Sequence, residues 1–389
     1  MAHPRPTSSR GVVVGTLGTT QTLAWASSYY LPAILADDMA KAAGVPRAWV
    51  FAAFSGALLL TAALGPWVGR LIDRRGGRGV LAASNVVFAI GLAVLGASNG
   101  IVIQGVAWAV LGFGMALGLY DAAFATLAEI YGRDARGPIT GITLIAGFAS
   151  TVGWPLSAFL DAELGWRGTC FVWAAMHVAI GLPLNLLLLP RSAGARSHDR
   201  QAPASWEPRR EMILLAYVFA AAWFVTGAMA AHLPALFERM GATTVQAVAA
   251  AALVGPAQVA ARLAEFFIMR RIHPLVSARV AVSMHPIGAA VLAAFGAPAA
   301  VPFALLHGAG NGLLTIARGT VPLALFGPVN YGARNGLLGA PARATQAAAP
   351  LLFGLLLDSM GVWVLAVSAG LCLSALAVLF LLRVPESDV

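Results

Sequence analysis

Apolar residues run along this chain in long, nearly unbroken stretches, separated by short segments rich in Arg, Gly, Pro and Asp. Twelve such runs stand out, near 12–36, 48–71, 79–98, 101–128, 137–160, 168–190, 212–236, 245–269, 277–297, 300–323, 335–357 and 361–383. Each is about as long as the roughly 20 residues an α-helix needs to cross the hydrocarbon core of a bilayer. The pattern predicts an all-α membrane protein with twelve transmembrane helices. One longer polar stretch, 191–211, is rich in Arg, Ser, Pro and Ala and reads as a linker with little structure of its own. It divides the chain into two six-helix halves, 1–190 and 212–389. The halves echo one another: Gly65-Pro66 recurs as Gly255-Pro256, and Arg70-Leu71-Ile72-Asp73 resembles Arg262-Leu263-Ala264-Glu265.

Composition agrees with the pattern. The chain is 59% hydrophobic and 11% charged, with a mean hydropathy of +0.80. A water-soluble protein of 389 residues could not hide that much apolar surface. The first run is too long for a cleaved signal peptide and lacks a small-residue cleavage pattern, so none is expected. Cys170 and Cys372 lie far apart inside apolar runs, which argues against zinc ligation and a structural disulfide.

The net charge of +9 is distributed in a way that argues against nucleic-acid binding. Most cations fall in alternate loops and termini: Arg5, Arg10, the Arg70–Arg78 loop, Arg133, Arg136, the linker arginines, Arg270, Arg271, Arg279, Arg318, Arg334 and Arg383. Only Lys41, Arg47, Arg167 and Arg239 fall on the other side. This is the positive-inside asymmetry, and it places both termini in the cytoplasm of a bacterial-type plasma membrane.

Between the second and third runs stands Gly69–Arg78, GRLIDRRGGR. Lipid tolerates only helices and closed barrels as spanning structures, so this polar turn lies at a membrane face. The string resembles the loop signature G-x-x-x-D-R-x-G-R of the major facilitator superfamily. Gly69, Asp73, Arg74 and Gly76 hold their places, while Gly77 takes a basic position and Arg78 falls one residue late. The resemblance, with helix count and central linker, covers nearly the whole chain. It implies two six-helix halves, alternating-access transport, a lipid-embedded monomer and no resident cofactor.

In that family the loop carboxylate belongs to a cytoplasmic gate. Asp73 can pair with nearby arginines or cap a facing helix N-terminus. Gly69, Asp73, Arg74 and Arg78 form the expected gate, joined by Glu129 and Arg136, whose E-x6-R spacing resembles a gate motif of sugar porters. The plainer reading is that these charges are solvated loop residues. In the fourth run, Gly112, Gly114 and Gly118 lie on closely related faces and let helix backbones approach. Trp108 stands where the family usually has an arginine, and Gly153-Trp154-Pro155 is a loose form of its antiporter motif.

Two arginines remain inside apolar runs. Arg262 lies eight residues before Arg270, and Arg343 eight residues after Asn335, so each sits roughly 12 Å inside its boundary. Inserting such a charge costs roughly 3 kcal/mol, and arginine cannot escape by losing its proton. A pair of guanidinium forks in a cavity suits a carboxylate substrate. Arg262 has two other readings, as a salt bridge to Glu265 or as the gate counterpart of Arg70.

The segment GPAQVAARL, 255–263, resembles the monocarboxylate and oxalate–formate branch. That resemblance implies Arg262 as the carboxylate clamp, Arg343 as a second cation, and Tyr29, Tyr30 and Tyr120 as cavity tyrosines. The branch's acidic-Gly start in the first helix is absent, and Gln21-Thr22-Leu23-Ala24-Trp25 keeps only the tryptophan. Tyr29-Tyr30-Leu31-Pro32 is expected to form a proline kink, with helical spacing letting one tyrosine face the pore, Tyr30 being the choice; the plainer reading is an aromatic belt at the periplasmic interface. The expected substrate-binding set is Arg262, Arg343, Tyr30, Tyr120 and Asn311.

Proton coupling has two candidates. Asp121, late in the fourth run, is either a neutralised proton carrier or an interfacial carboxylate paired to a gate arginine. His307 sits among Gly308, Gly310, Asn311 and Gly312, whereas His285 reads as a hydrogen-bonded packing residue and His177 and His232 as packing or interfacial residues. An enzyme is excluded: GASNG at 96–100 matches G-x-S-x-G only within a short loop, and no H-E-x-x-H exists. A passive channel would not need the gate. The competing transporter reading is efflux of amphiphilic drugs, which commonly relies on an acidic residue in the first helix; none precedes Asp37 here.

Overall fold

A computed structural model describes residues 9–191, 210–269 and 272–382. Both termini, most of the 191–211 linker, and Arg270 and Arg271 lie outside these described residues. All regular elements described are helical. The chain divides into two compact units, 1–203 with 326–340, and 204–325 with 341–389.

Unit 1 contains α1 (Arg10–Ser27), α2 (Pro32–Ala43), α3 (Arg47–Arg75), α4 (Gly77–Gly96), α5 (Ile101–Gly118), α6 (Tyr120–Tyr131), α7 (Arg136–Ile145), α8 (Ala149–Met176) and α9 (Leu182–Leu188). Unit 2 contains α10 (Arg210–Arg239), α11 (Thr244–Ala252), α12 (Val254–Phe267), α13 (Pro274–Phe295), α14 (Ala300–Phe326) and α16 (Val364–Leu381). α15 (Tyr331–Met360) begins in unit 1 and continues in unit 2.

Eight helical segments among the described residues are long and apolar enough to cross a membrane. The longest, Ile101–Leu188, has 88 residues, which at 1.5 Å per residue is several bilayer thicknesses. It is interrupted at Leu119, near Gly132, and at Gly165, whose φ of 71° and ψ of 169° are not helical. Glycine alone reaches this region without a Cβ penalty, so Gly165 turns the chain between the fifth and sixth runs.

Two runs expected to be continuous leave the helical backbone conformation partway. The first, 12–36, is interrupted between Ser27 and Pro32. Pro32 has no backbone N–H to give and becomes the first residue of α2, where that donor is not needed. The fourth, 101–128, is interrupted at Leu119, whose ψ of −175° is extended. The freed carbonyl of Gly118 accepts a hydrogen bond from Gln21 Nε2 in α1 instead.

Within unit 1 the helices close on small residues. A Cβ on Gly112 would sit 2.7 Å from the Ala57 carbonyl oxygen of α3, and one on Gly118 would sit 2.6 Å from Ser84 Oγ of α4. In unit 2, a Cβ on Gly308 would sit 2.5 Å from the Val254 carbonyl oxygen. Without a hydrophobic effect between helices in lipid, such close contact supplies much of the packing.

Each unit also holds a buried polar bridge. His177 in unit 1 lies 2.8 Å from Ser27 Oγ and 2.9 Å from Asn85 Oδ1, and its ring stacks on Phe88. His177 opens a single π-helical turn, His177–Gly181. In unit 2, His285 lies 3.0 Å from both His307 Nδ1 and Ser368 Oγ. Outward faces are apolar, with Leu59, Ile90, Phe159, Phe267, Leu351 and Phe380 all exposed.

Candidate functional site

Three clusters gather the residues singled out in the sequence. The first lies at the end of unit 1 that carries the Gly69–Arg78 loop. Asp73, in the last turn of α3, accepts the backbone N–H of Gly332 through Oδ1 at 2.9 Å and that of Ala333 through Oδ2 at 2.8 Å. These are the second and third residues of α15, whose first-turn N–H groups have no intrahelical partner. One carboxylate thus satisfies two orphan donors and places negative charge at the positive end of the helix. Gly69 makes the approach possible, since a Cβ there would overlap the Gly332 carbonyl oxygen.

Glu129, near the end of α6, does the same for α4: its Oε2 accepts the Gly77 N–H at 3.0 Å. The loop signature is therefore flanked by two carboxylate caps on two different helices. The basic residues are placed differently. Arg78 donates to the Leu186 carbonyl in α9, Arg74 is exposed, and Arg136 is half-buried at the start of α7. Replacing Glu129 with glutamine removes the charge from the α4 terminus. It is expected to lower stability by about 1 kcal/mol, and alanine by about 2 kcal/mol, read as successive drops in thermal unfolding midpoint.

The second cluster is cationic and lies in unit 2. Arg262 in α12 is buried, 6% exposed. Its Nη2 donates to Gln258 Oε1 at 3.3 Å and, at 3.5 Å, reaches Thr315 Oγ1 of α14. Glu265, three residues on, is also buried and accepts a hydrogen bond from Ser277 Oγ of α13 at 3.0 Å. Asn311, one turn before Thr315, accepts from Thr226 of α10 at 3.1 Å, and its carbonyl accepts from Thr315 at 2.9 Å. Arg343 is half-buried in α15.

Arg318 corrects the charge map. It was expected at the cytoplasmic face, but α14 continues to Phe326, which leaves Arg318 more than two turns inside the helix and only 5% exposed. Its guanidinium lies 5.0 Å from the centre of the Phe219 ring, a cation–π contact that offsets part of its burial. The signal was in the sequence, because Arg318 lies five residues before the end of the 300–323 run.

The third cluster is aromatic and lies in unit 1. Trp25 in α1 is its hub, with ring centres 5.1 Å from Tyr29, 6.2 Å from Tyr30 and 5.0 Å from Tyr120. Tyr29 extends it to Phe54 at 5.4 Å, Tyr30 to Trp154 at 5.8 Å, and Phe54 to Trp108 at 5.5 Å. The choice of Tyr30 over Tyr29 as the pore-facing residue used helical spacing. Tyr29 and Tyr30 sit in the break between α1 and α2, and both reach Trp25.

Asp121 stands beside this cluster in the first turn of α6 and accepts a hydrogen bond from Asn335 Nδ2 at 3.3 Å. His307 is placed otherwise, fully enclosed between His285 and a stacked Phe303 in unit 2. Among the described residues, no group of three His, Cys, Asp or Glu side chains stands where it could hold a metal ion.

The sequence matches a family model described as the Major Facilitator Superfamily over residues 16–305. No curated protein sequence matches it. The fold is similar to that of the human organic anion transporter MFSD10 (TETRAN), with a TM-score of 0.73 at 19% identity, covering 96% of this chain and 100% of that one. It is also similar to a variant of the E. coli fucose:proton symporter FucP, with a TM-score of 0.72 at 13% identity, covering 95% and 97%. FucP in its outward conformation gives a TM-score of 0.70 at 13% identity, with the same coverage.

Proposed function

The chain belongs to the Major Facilitator Superfamily, as a membrane transporter rather than an enzyme, and from that premise we propose that it is an alternating-access secondary transporter of a small, carboxylate-bearing organic anion. Its spans number twelve, in two six-helix halves, 1–190 and 212–389, joined by the 191–211 linker with both termini cytoplasmic. The breaks near Gly132 and at Gly165 support this count, because they divide a segment too long for one crossing between the fourth, fifth and sixth runs.

The observation that carries the anion reading is Arg262, a permanent cation buried in a helix of a membrane protein, whose Nη2 reaches the Gln258 and Thr315 side-chain oxygens. Arg262 is the principal carboxylate clamp and Arg343 the second cation, with Tyr30, Tyr120 and Asn311 supplying hydrogen bonds. A coupled proton is carried by Asp121 in preference to His307, which the His285–Ser368 chain already engages. Asp73, Gly69, Arg74, Arg78, Glu129 and Arg136 form the cytoplasmic gate, a role supported by the Asp73 cap on α15.

The test is uptake of a panel of carboxylates into proteoliposomes. Arg262→Ala is expected to weaken anion affinity about 100-fold, the effect of losing roughly 3 kcal/mol of charge-assisted hydrogen bonding. Arg262→Lys is expected to recover only part, because a point charge cannot replace the fork. Intact anion flux in Arg262→Ala, together with lost export of amphiphilic cations, would replace this reading with drug efflux.

A further inference from the structure

Lys41 and Arg47 are two of the four cations on the sparsely charged side of the chain, and both stand in unit 1 where α2 hands over to α3. α3 runs from Arg47 to Arg75, which places its two ends roughly 42 Å apart. That is about the thickness of a bilayer with its head groups. Arg47 therefore lies at the head-group level of the leaflet opposite the Gly69–Arg78 loop. Two grooves meet there. The first, of about 510 Å³, is lined by Asp37, Lys41, Gly44, Val45 and Arg47. The second, of about 310 Å³, is lined by Val45, Trp49, Val50, Ala53, Ile101 and Gly105. Val45 belongs to both, and Ala53 lies six residues along α3 from Arg47, roughly 9 Å toward the membrane interior. A polar recess at head-group level thus continues into an apolar one on the hydrocarbon side.

The polar recess carries mixed charge rather than a cationic patch. Arg47 Nε lies 3.3 Å from Asp37 Oδ1, and Lys41 Nζ lies 3.4 Å from Asp38 Oδ1. Asp161 of α8 stands close enough to Asp38 for the two charges to interact. All four paired side chains are exposed, so these ion pairs are weak and open to exchange with an incoming dipole. A phosphate suits the two cations, and an ammonium suits the carboxylates. A purely anionic group would meet Asp37 and Asp38 as like charges. The apolar groove owes its depth to a missing side chain: a Cβ on Gly105 would have nothing within 4 Å. Gln104 also lines this groove, with its Nε2 already donating to the Met39 carbonyl of α2 at 3.0 Å, a bond that ties α5 to α2. Trp49 is exposed at its mouth, at the level where tryptophan is enriched in membrane proteins.

We propose that the two grooves form one binding site for a phospholipid of that leaflet, with an ethanolamine-type zwitterionic head group among Asp37, Asp38, Lys41 and Arg47 and one acyl chain in the groove beside Gly105. The phosphate lies against Arg47 and Lys41, and the ammonium lies against the carboxylates. A primary ammonium brings three N–H donors to those carboxylates, whereas a choline head group brings none. Bound this way, the lipid joins the end of α2 to α3 and α5. The site lies wholly within unit 1, and it does not depend on which cargo the protein carries.

The experiment measures binding of phosphatidylethanolamine, phosphatidylcholine and phosphatidylglycerol, with matched acyl chains, to the delipidated full chain in detergent by native mass spectrometry. Phosphatidylethanolamine is expected to bind about fivefold more tightly than either of the others, the scale of one or two exposed ion pairs. Asp37→Asn combined with Asp38→Asn leaves Lys41 and Arg47 without these counter-charges. It is expected to reverse the order of phosphatidylethanolamine and phosphatidylglycerol, an exchange of preference that misfolding does not produce. Gly105→Phe fills the apolar groove without touching the charges and is expected to weaken all three lipids about tenfold. The open space at the Gly105 Cβ gives this variant little risk to folding, and its unfolding midpoint without lipid checks that. Equal binding of the three lipids by the unaltered protein, or binding of none, overturns the proposal. So does a preference that survives the double aspartate variant, which would place the head group elsewhere. Lipid binding unchanged in Gly105→Phe overturns it through the acyl chain.

Discussion

Replacing Asp73 with alanine is expected to lower transport by at least about tenfold and to speed hydrogen exchange at the Gly332 and Ala333 amides on the order of a hundredfold. The carboxylate accepts both of these N–H groups, one on each oxygen, at 2.9 and 2.8 Å. Each bond to a charged acceptor is worth about 1.5–3 kcal/mol, and the helix terminus adds about 0.3–1 kcal/mol for the charge. Even after relaxation and water replace part of that sum, roughly 3 kcal/mol of local stability is lost, which converts to the hundredfold figure. Transport falls because residues 326–340 group with unit 1 while the rest of α15 groups with unit 2, so the cap fixes the start of a helix shared by both. Asp73→Asn keeps one acceptor oxygen and loses the charge, and its effect is expected between wild type and alanine. Faster exchange with unchanged uptake would make the cap a static joint and remove it from the gate. Unchanged exchange would mean the bonds are absent in the membrane.

Much of this architecture was legible because lipid leaves the chain few choices. Runs of about 20 apolar residues must be helices, and the polar Gly69–Arg78 string must lie at a face. Even the option that Asp73 caps a facing helix follows from its position at the end of a run. What the sequence hid depends on partners far along the chain. Glu129 finds the Gly77 N–H across 52 residues, and E-x6-R spacing suggested only its local neighbour Arg136. Trp25 becomes a hub only when the breaks at Ser28–Leu31 and Leu119 bring Tyr30 and Tyr120 against it. Arg318 was counted with the loop cations although it lies inside the 300–323 run, and α14 continues past it to Phe326. Pro322 is tolerated on that path because neighbouring groups in a helix bundle satisfy the freed carbonyl.

Gly69→Ala is expected to destabilise the protein by about 2–3 kcal/mol or more and to reduce transport to background. The sign makes the prediction informative. In a helix interior, glycine to alanine ordinarily stabilises by about 1 kcal/mol, because the backbone loses less entropy on folding. Gly56, elsewhere in α3, has nothing within 4 Å of where its Cβ would lie, so Gly56→Ala is expected to show that ordinary gain. Gly69 faces the opposite situation. With Gly65 it lies against Gly332 and Gly336, a seam with glycines four apart on both helices. A Cβ on Gly69 overlaps the Gly332 carbonyl oxygen, and one on Gly332 would sit 2.6 Å from the Gly69 oxygen and 2.8 Å from Asp73 Oδ1. Relief requires the two backbones to part, and parting them also pulls the α15 terminus away from its carboxylate cap. Gly65 is looser, its Cβ falling 3.3 Å from the Gly336 oxygen, so Gly65→Ala is expected to stay within about 1 kcal/mol of neutral. The ordering Gly56→Ala above Gly65→Ala above Gly69→Ala, in unfolding midpoint and in uptake, is the measurement. If Gly69→Ala instead gains stability and keeps its flux, the seam is open in the working protein, and the close approach of α3 to α15 has no part in transport.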